Sequence, residues 1–375
     1  MSIKRQLSSN VTINDDIKKI PKTSIEETNS LPINRFENLS NEIYYEIFDY
    51  LDGYSIHKAF SYLNNRFQRL ITSSSFLLKI SVDQESEIDM KDCCKYIINR
   101  NTHRILSLHL WNITYVQDFL QHCVIDSSFC RLQSIILYGT LASELQFILS
   151  SLKRLPNLTS LACNVEDNAS KITEIYQMIF ELSSLKYISL SIMTNNEINI
   201  SKLADITVQS SSLETMIISH KCTIPELTSI LGHTPSLKHL TCQMLIEPDE
   251  NIESNIQLTL PNLTHMTIDY CSMEFFELQK LIRKIASPIR MLHISSFDSE
   301  NYTDPNCWKG LILQNMPHLR KFIVQCGMIV DDNFQYDHLD TFIRQFTSQF
   351  WLERRWTFEF HISNNAMSYL ICPQR

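Results

Sequence analysis

The pattern apolar-x-x-apolar-x-apolar recurs along most of the chain, starting at Leu77, Ile105, Leu132, Leu158, Leu185, Leu213, Leu237, Leu263, Ile289 and Leu319. Successive starts lie 24 to 30 residues apart. A period in this range is the mark of one supersecondary unit copied side by side, whose apolar face is buried only by its neighbours. Within each hexamer the last two apolar positions stand two apart, as in Ile188 and Leu190, which is the spacing of one face of a strand. Residues between them point to the opposite face, so each unit offers one buried and one exposed row.

Between the hexamers the spacing changes to that of a helix. Leu141, Leu145, Ile148, Leu149 and Leu152 form one apolar stripe, Ile172, Ile175, Ile179 and Leu182 another, and Phe275, Leu278, Leu281, Ile282 and Ile285 a third. Pro156, Pro235, Pro261, Pro288 and Pro317 stand one or two residues before a hexamer and end the preceding element. Strand, loop, helix, turn and strand predict an α/β chain. A crossover helix returns the chain to a parallel neighbour, giving one curved parallel sheet inside and helices outside.

These hexamers resemble those of the leucine-rich repeat family, in its long-repeat variety with a helical outer side, over residues 77 to 361. Three residues beyond each hexamer the family usually carries Asn or Cys. Only Cys271 conforms here, so the descending loops are expected to be irregular.

Composition narrows the functional classes. A chain of 375 residues that is 44% hydrophobic can bury a large core. Eleven cysteines follow no paired spacing, and Cys163 and Cys242 occupy apolar repeat positions, so a reducing compartment is expected, cytoplasmic or nuclear. The start of the chain has no signal-peptide core and no stretch approaches a membrane span, so no membrane is assigned. Net charge is -8 with Lys and Arg dispersed, which argues against nucleic acid. Five glycines build no phosphate-cradling loop, and no G-x-S-x-G elbow is present, so neither an enzyme nor a cofactor is assigned. Glycosylation sequons at Asn112, Asn157, Asn199, Asn262 and Asn301 read as chance in an Asn- and Ser-rich chain.

Ahead of the repeats, residues 1–33 read as a flexible polar tail and 34–75 as three short helices. Ser40 caps the first, Leu39 staples onto Tyr44, Ile43, Ile47, Phe48 and Leu51 form its stripe, and Gly53 closes it. Ile56, Ala59, Phe60 and Leu63 face inward on a second helix from Ser55, and Phe67, Leu70 and Ile71 on a third. This segment is similar to an F-box: Phe36, Glu37, Leu39, Glu42-Ile43, Ile47-Phe48, Leu51 and Arg66-Phe67-x-x-Leu70 appear in family order. Serine replaces the family's proline at position 40, which keeps the helix cap but removes one ring contact. The resemblance implies a three-helix F-box followed by a leucine-rich-repeat solenoid. It also implies that Phe36, Leu39, Ile43, Ile47, Phe48 and Leu51 lie on or beneath a surface that docks the adaptor of an SCF-type cullin-RING ubiquitin ligase, and through it the cullin. With no linker between Ile71 and Leu77, module and repeats are expected to move as one body. The rival reading is a helical cap on a non-catalytic leucine-rich-repeat scaffold without a ligase role.

A protein substrate is expected on the concave face, whose exposed positions include Ser107, His109, Trp111, Ser134, Ile136, Tyr138, Tyr187, Ser189, Ser191, Thr241, Gln243, Thr267, Asp269, Met291 and Ser295. Trp111, Tyr138 and Tyr187 are its best anchors, because aromatics dominate interface hot spots. His239 and His265 occupy equivalent positions in adjacent units, with His293 diagonal to them. No carboxylate or thiol completes a ligand set at matching positions, so these are assigned to substrate and not to metal. No Arg cluster marks the face positions, which argues against a phosphorylated ligand. Cys93-Cys94 reads as a helix pair. Leu339, Phe342, Ile343, Phe346 and Phe350 suit a final helix, Trp356, Phe358 and Phe360 a last capping strand, and 362–375 a tail.

Overall fold

A computed structural model of the chain describes residues 36–82, 89–167, 171–192, 211–247, 258, 260–285, 288–297, 302, 304–329, 344–346, 348–363 and 366–373. The expected tail over 1–33, and Leu339, Phe342 and Ile343 of the expected final helix, lie outside these residues. The chain divides into two compact units, residues 1–44 and 45–375.

In the first unit a 3-10 turn over Phe36–Asn38 precedes helix α1, Asn41–Asp49. Tyr44 is buried, its hydroxyl donates to the Phe36 carbonyl, and the two rings meet edge to face with centroids 5.2 Å apart. Phe36 thus packs on the residue that the staple pattern pairs with Leu39.

The second unit begins within α1 and continues into α2, Gly53–Phe60, and α3, Asn65–Thr72. Both are opened by side-chain caps: Asp52 accepts from the amides of Tyr54 and Ser55, and Asn64 from those of Arg66 and Phe67. Gly53 therefore starts α2 instead of closing α1. A side chain there would meet Ile80 Cδ1 at 2.7 Å, so glycine lets the helix start approach β1. Ile56, Phe60, Phe67, Leu70 and Ile71 are buried, whereas Ala59 and Leu63, expected to face inward, are exposed.

Ten parallel strands then follow in sequence order: β1 Leu78–Val82, β2 Ile105–Leu110, β3 Ser134–Thr140, β4 Ser160–Val165, β5 Tyr187–Ile192, β6 Thr215–Thr223, β7 His239–Ile246, β8 His265–Cys271, β9 Met291–Phe297 and β10 Lys321–Ile329. Helices α6 (Ile113–His122), α7 (Ala142–Leu152), α8 (Ile172–Phe180), α9 (Ile224–Gly232), α10 (Phe275–Ile285) and α11 (Pro305–Asn315) follow β2, β3, β4, β6, β8 and β9. Between β1 and β2, α4 (Met90–Cys93) and α5 (Asn99–Asn101) flank a π turn, and Cys93 and Cys94 are buried there as the expected helix pair.

The register explains the period. Ile80, Leu108, Ile135, Leu161, Ile188, Met216, Leu240, Met266, Leu292 and Phe322 pair strand to strand in one unbroken row, and each is at most 1% exposed. Since the side-chain period of a strand is two, any slip by one residue would turn this row to water, so the hexamers lock the alignment. Helix stripes such as Leu145, Ile148, Leu149 and Leu152 cover it and are themselves buried.

At the far end a short helix α12, Gln349–Glu353, precedes β11, Trp356–Ser363, and β12, Ala366–Pro373. The expected tail over 362–375 is corrected here. Residues 366–373 form a strand between β10 and β11, antiparallel to both. Its alternation is physical: Tyr369 and Ile371 are buried, and the strand satisfies the backbone edge that β10 would otherwise leave open. Phe322 closes the core against Trp356 at 5.3 Å and Trp351 at 6.2 Å between ring centroids.

Candidate functional site

With one strand face buried under helices, function falls to the other face and to the helical segment. Cross-strand pairing arranges that open face in rows. One row runs Tyr187, Thr215, His239, His265, Met291 and Lys321; the next runs His109, Ile136, Ala162, Ser189, Ile217, Thr241, Thr267, His293 and Ile323. Ser107 and Ser295, placed among the exposed positions from the sequence, are buried.

Trp111 and Tyr138 come together. Their rings stack with centroids 4.8 Å apart and planes 15° apart, and the Trp111 indole donates to Ser81 Oγ at 3.4 Å. Tyr138 keeps 37% of its surface exposed. The pair forms a stacked aromatic platform, the chemistry that favours partner side chains. Gly139 makes it possible. Its φ is +76, and a Cβ there would lie 2.7 Å from the Ile113 amide nitrogen, so only glycine brings the chain off the platform this close to α6. Tyr187 does not join this pair; it stands on β5 in the row of the histidines.

His239 and His265 pair across β7 and β8, with ring centroids 4.5 Å apart. The Thr264 hydroxyl lies 2.8 Å from His265 Nδ1. Partial burial holds His265 below the ordinary imidazole range, and the neighbouring His239, Arg290 and Lys321 push it further down. His293 is also lowered, chiefly by burial and against the pull of Asp269. Among the described residues no group of three or more His, Cys, Asp or Glu is placed to hold a metal ion. The face thus carries aromatic, hydroxyl and imidazole groups suited to contact with a partner.

The helical residues carry exposed apolar groups in each unit. In the first unit Phe36 is 49% and Ile43 40% exposed, and Leu39 is half-buried. In the second, Ile47 and Leu51 are half-buried, while Tyr50, Tyr62 and Leu63 are 91%, 88% and 58% exposed. Phe48 is not on a surface: it is 1% exposed and packs on Phe60 and Phe76 at 5.0 and 5.4 Å, so it supports from beneath.

Arg104, which periodicity gives no reason to single out, fastens the end of α3 to the sheet. It is 3% exposed, and its guanidinium donates to the carbonyls of Ile71 at 3.0 Å, Ser73 at 2.7 Å and Phe76 at 3.2 Å. The open carbonyl end of α3 and the link to β1 are thereby satisfied by one side chain.

No family model matches the chain, and no curated protein matches it. Among solved structures, a chain of the crystal structure of the yeast Rad7 and Elc1 complex is similar at 10% identity, over 70% of this chain and 85% of that one, with a TM-score of 0.24. So loose a superposition carries no weight for fold or function. Among the described residues, no helix is long and apolar enough to cross a membrane.

Proposed function

We propose that the chain is the substrate-recognition subunit of an SCF-type cullin-RING ubiquitin ligase, built as an F-box followed by leucine-rich repeats. In this reading the helical segment docks the adaptor and the open sheet face holds a protein substrate. The observation that carries it is the exposure of Tyr50, Tyr62 and Leu63, with Ile47 and Leu51 half-open, on and between helices that bury Phe48, Ile56, Phe60, Phe67, Leu70 and Ile71. A cap whose only task was to close the repeats would bury its large apolar groups; a docking module keeps a second set for a partner. Phe36, Leu39 and Ile43 take the roles the resemblance gives them, and Phe48 underlies the surface. Catalysis then belongs to other subunits. The receptor contributes position, and the Arg104 contacts support a stiff join between α3 and the sheet.

Co-purification of the full chain with the SCF adaptor tests this, beside Ile47→Asp/Leu51→Asp with its fold checked by circular dichroism. The proposal expects capture by the parent and its loss in a still-folded double variant. A well-folded parent that captures no adaptor would overturn it in favour of the scaffold.

A further inference from the structure

The residues that lead into the strands form a row of their own. Each backbone amide donates to the carbonyl of the one before: Glu214 to Lys186 at 2.8 Å, Lys238 to Glu214 at 2.8 Å, Thr264 to Lys238 at 3.0 Å, Arg290 to Thr264 at 2.8 Å and Arg320 to Arg290 at 2.8 Å. Side chains along such a row recur at about 4.8 Å. In its first half every cation has a carboxylate partner, because Glu214 bridges Lys186 at 3.3 Å and Lys238 at 2.6 Å. The second half differs. Arg290, Arg320 and the adjoining Lys321 are exposed and pair with no carboxylate among the described residues.

A fourth cation arrives from the start of β11, two strands beyond β10. The Trp356 indole donates to the Arg320 carbonyl at 3.3 Å and brings the preceding turn, with the exposed Arg355, to this edge. His265 and Met291 lie directly above, in the row that ends at Lys321. The depressed imidazole of His265 is consistent with that concentration of positive charge. In a chain of net charge -8, such a grouping is a local reversal of sign.

We propose that the strand-entry edge formed by Arg290, Arg320, Lys321 and Arg355 binds an acidic peptide segment of a partner protein, extended across the strand starts. Guanidinium forks match carboxylates in pairs, and neighbouring cations left unpaired favour an anionic partner. About five extended residues, at roughly 3.3 Å each, span the roughly 15 Å from β9 across β10 and β12 to β11. Nucleic acid is the poorer fit, since its binders spread basic charge over a domain, whereas here it is confined to one edge. This deepens the receptor reading, in which the acidic segment would be the substrate's. Peptide binding is measured without adaptor, so the two can fail separately.

The experiment is fluorescence anisotropy on the full chain with a labelled Asp/Glu-rich peptide, its Asn/Gln counterpart, a phosphoserine peptide and a single-stranded DNA of equal length. The acidic peptide is expected to bind at least about tenfold more tightly than the neutral one, and to weaken between about 50 and about 200 mM salt. Arg290→Glu/Arg320→Glu removes that preference, Arg290→Gln/Arg320→Gln reduces it, and Lys91→Glu, an exposed cation on α4, leaves it intact. Equal binding of acidic and neutral peptides, a preference that survives the charge reversal, binding confined to the phosphopeptide, or tighter binding of DNA would each overturn it.

Discussion

At the scale of single residues, two side-chain positions carry more than their spacing shows. Gly139 holds a left-handed backbone against the Ile113 amide, so Gly139→Ala combines strain with a clash and is expected to cost about 2 kcal/mol or more. A lower urea midpoint with unchanged m-value would show this, and an unchanged midpoint would exclude it. His220 is buried between Tyr176 and its own strand: Nδ1 lies 2.8 Å from the Lys221 carbonyl, which can only accept, so Nε2 accepts from the Tyr176 hydroxyl at 2.8 Å. Burial pushes its pKa from 6.5 down to about 4. Below pH 6.5 the unfolded chain takes up a proton that the folded chain refuses, so stability falls as pH drops from 6.5 to about 4 and the term is flat outside that window. The full effect is about 3 kcal/mol. Denaturation at several pH values checks it, with a shallower acid loss expected in His220→Gln. Neither residue was legible in the sequence. His220 falls at an inward position of β6 beyond its hexamer, and Gly139 reads as an ordinary turn glycine until the approach of α6 is known.

At the scale of elements, the strands were the legible part, because every hexamer places its apolar pair on the buried row and parallel pairing aligns them. Helix stripes such as that of α10 were equally plain. What spacing hid was capping and closure: Gly53 belongs to α2 because Asp52 supplies a side-chain cap, and 366–373 pairs as β12 because β10 needs an antiparallel neighbour. Arg104 joins elements through backbone carbonyls, which no residue pattern advertises. Arg104→Met is expected to destabilise by about 3 kcal/mol, since buried carbonyls lose their donors. Thermal melting checks it, and the same loss would be read first in hydrogen exchange over α3 and β1. Ending the chain at Arg355 removes β11 and β12 and bares the β10 edge, so the shortened protein is expected to aggregate. A soluble truncation that unfolds cooperatively would contradict that role.

At the scale of the molecule, the account joins a repeat sheet with an open face to a helical segment that keeps apolar groups exposed. Of the anchors expected on the face, Trp111 and Tyr138 meet in one platform, while Tyr187, His239 and His265 share a separate row. Spacing alone assigned residues to faces but could not sort them into clusters, since that depends on register and on bulges such as the one between Leu137 and Thr140. The central claim concerns the helices, and titration calorimetry of purified SCF adaptor into the full chain tests it most directly. One-to-one binding at about 1 μM or tighter, weakened at least about tenfold by Tyr62→Asp/Leu63→Asp in a folded protein, is the predicted result. No binding by a folded parent, or binding indifferent to those changes, would contradict it.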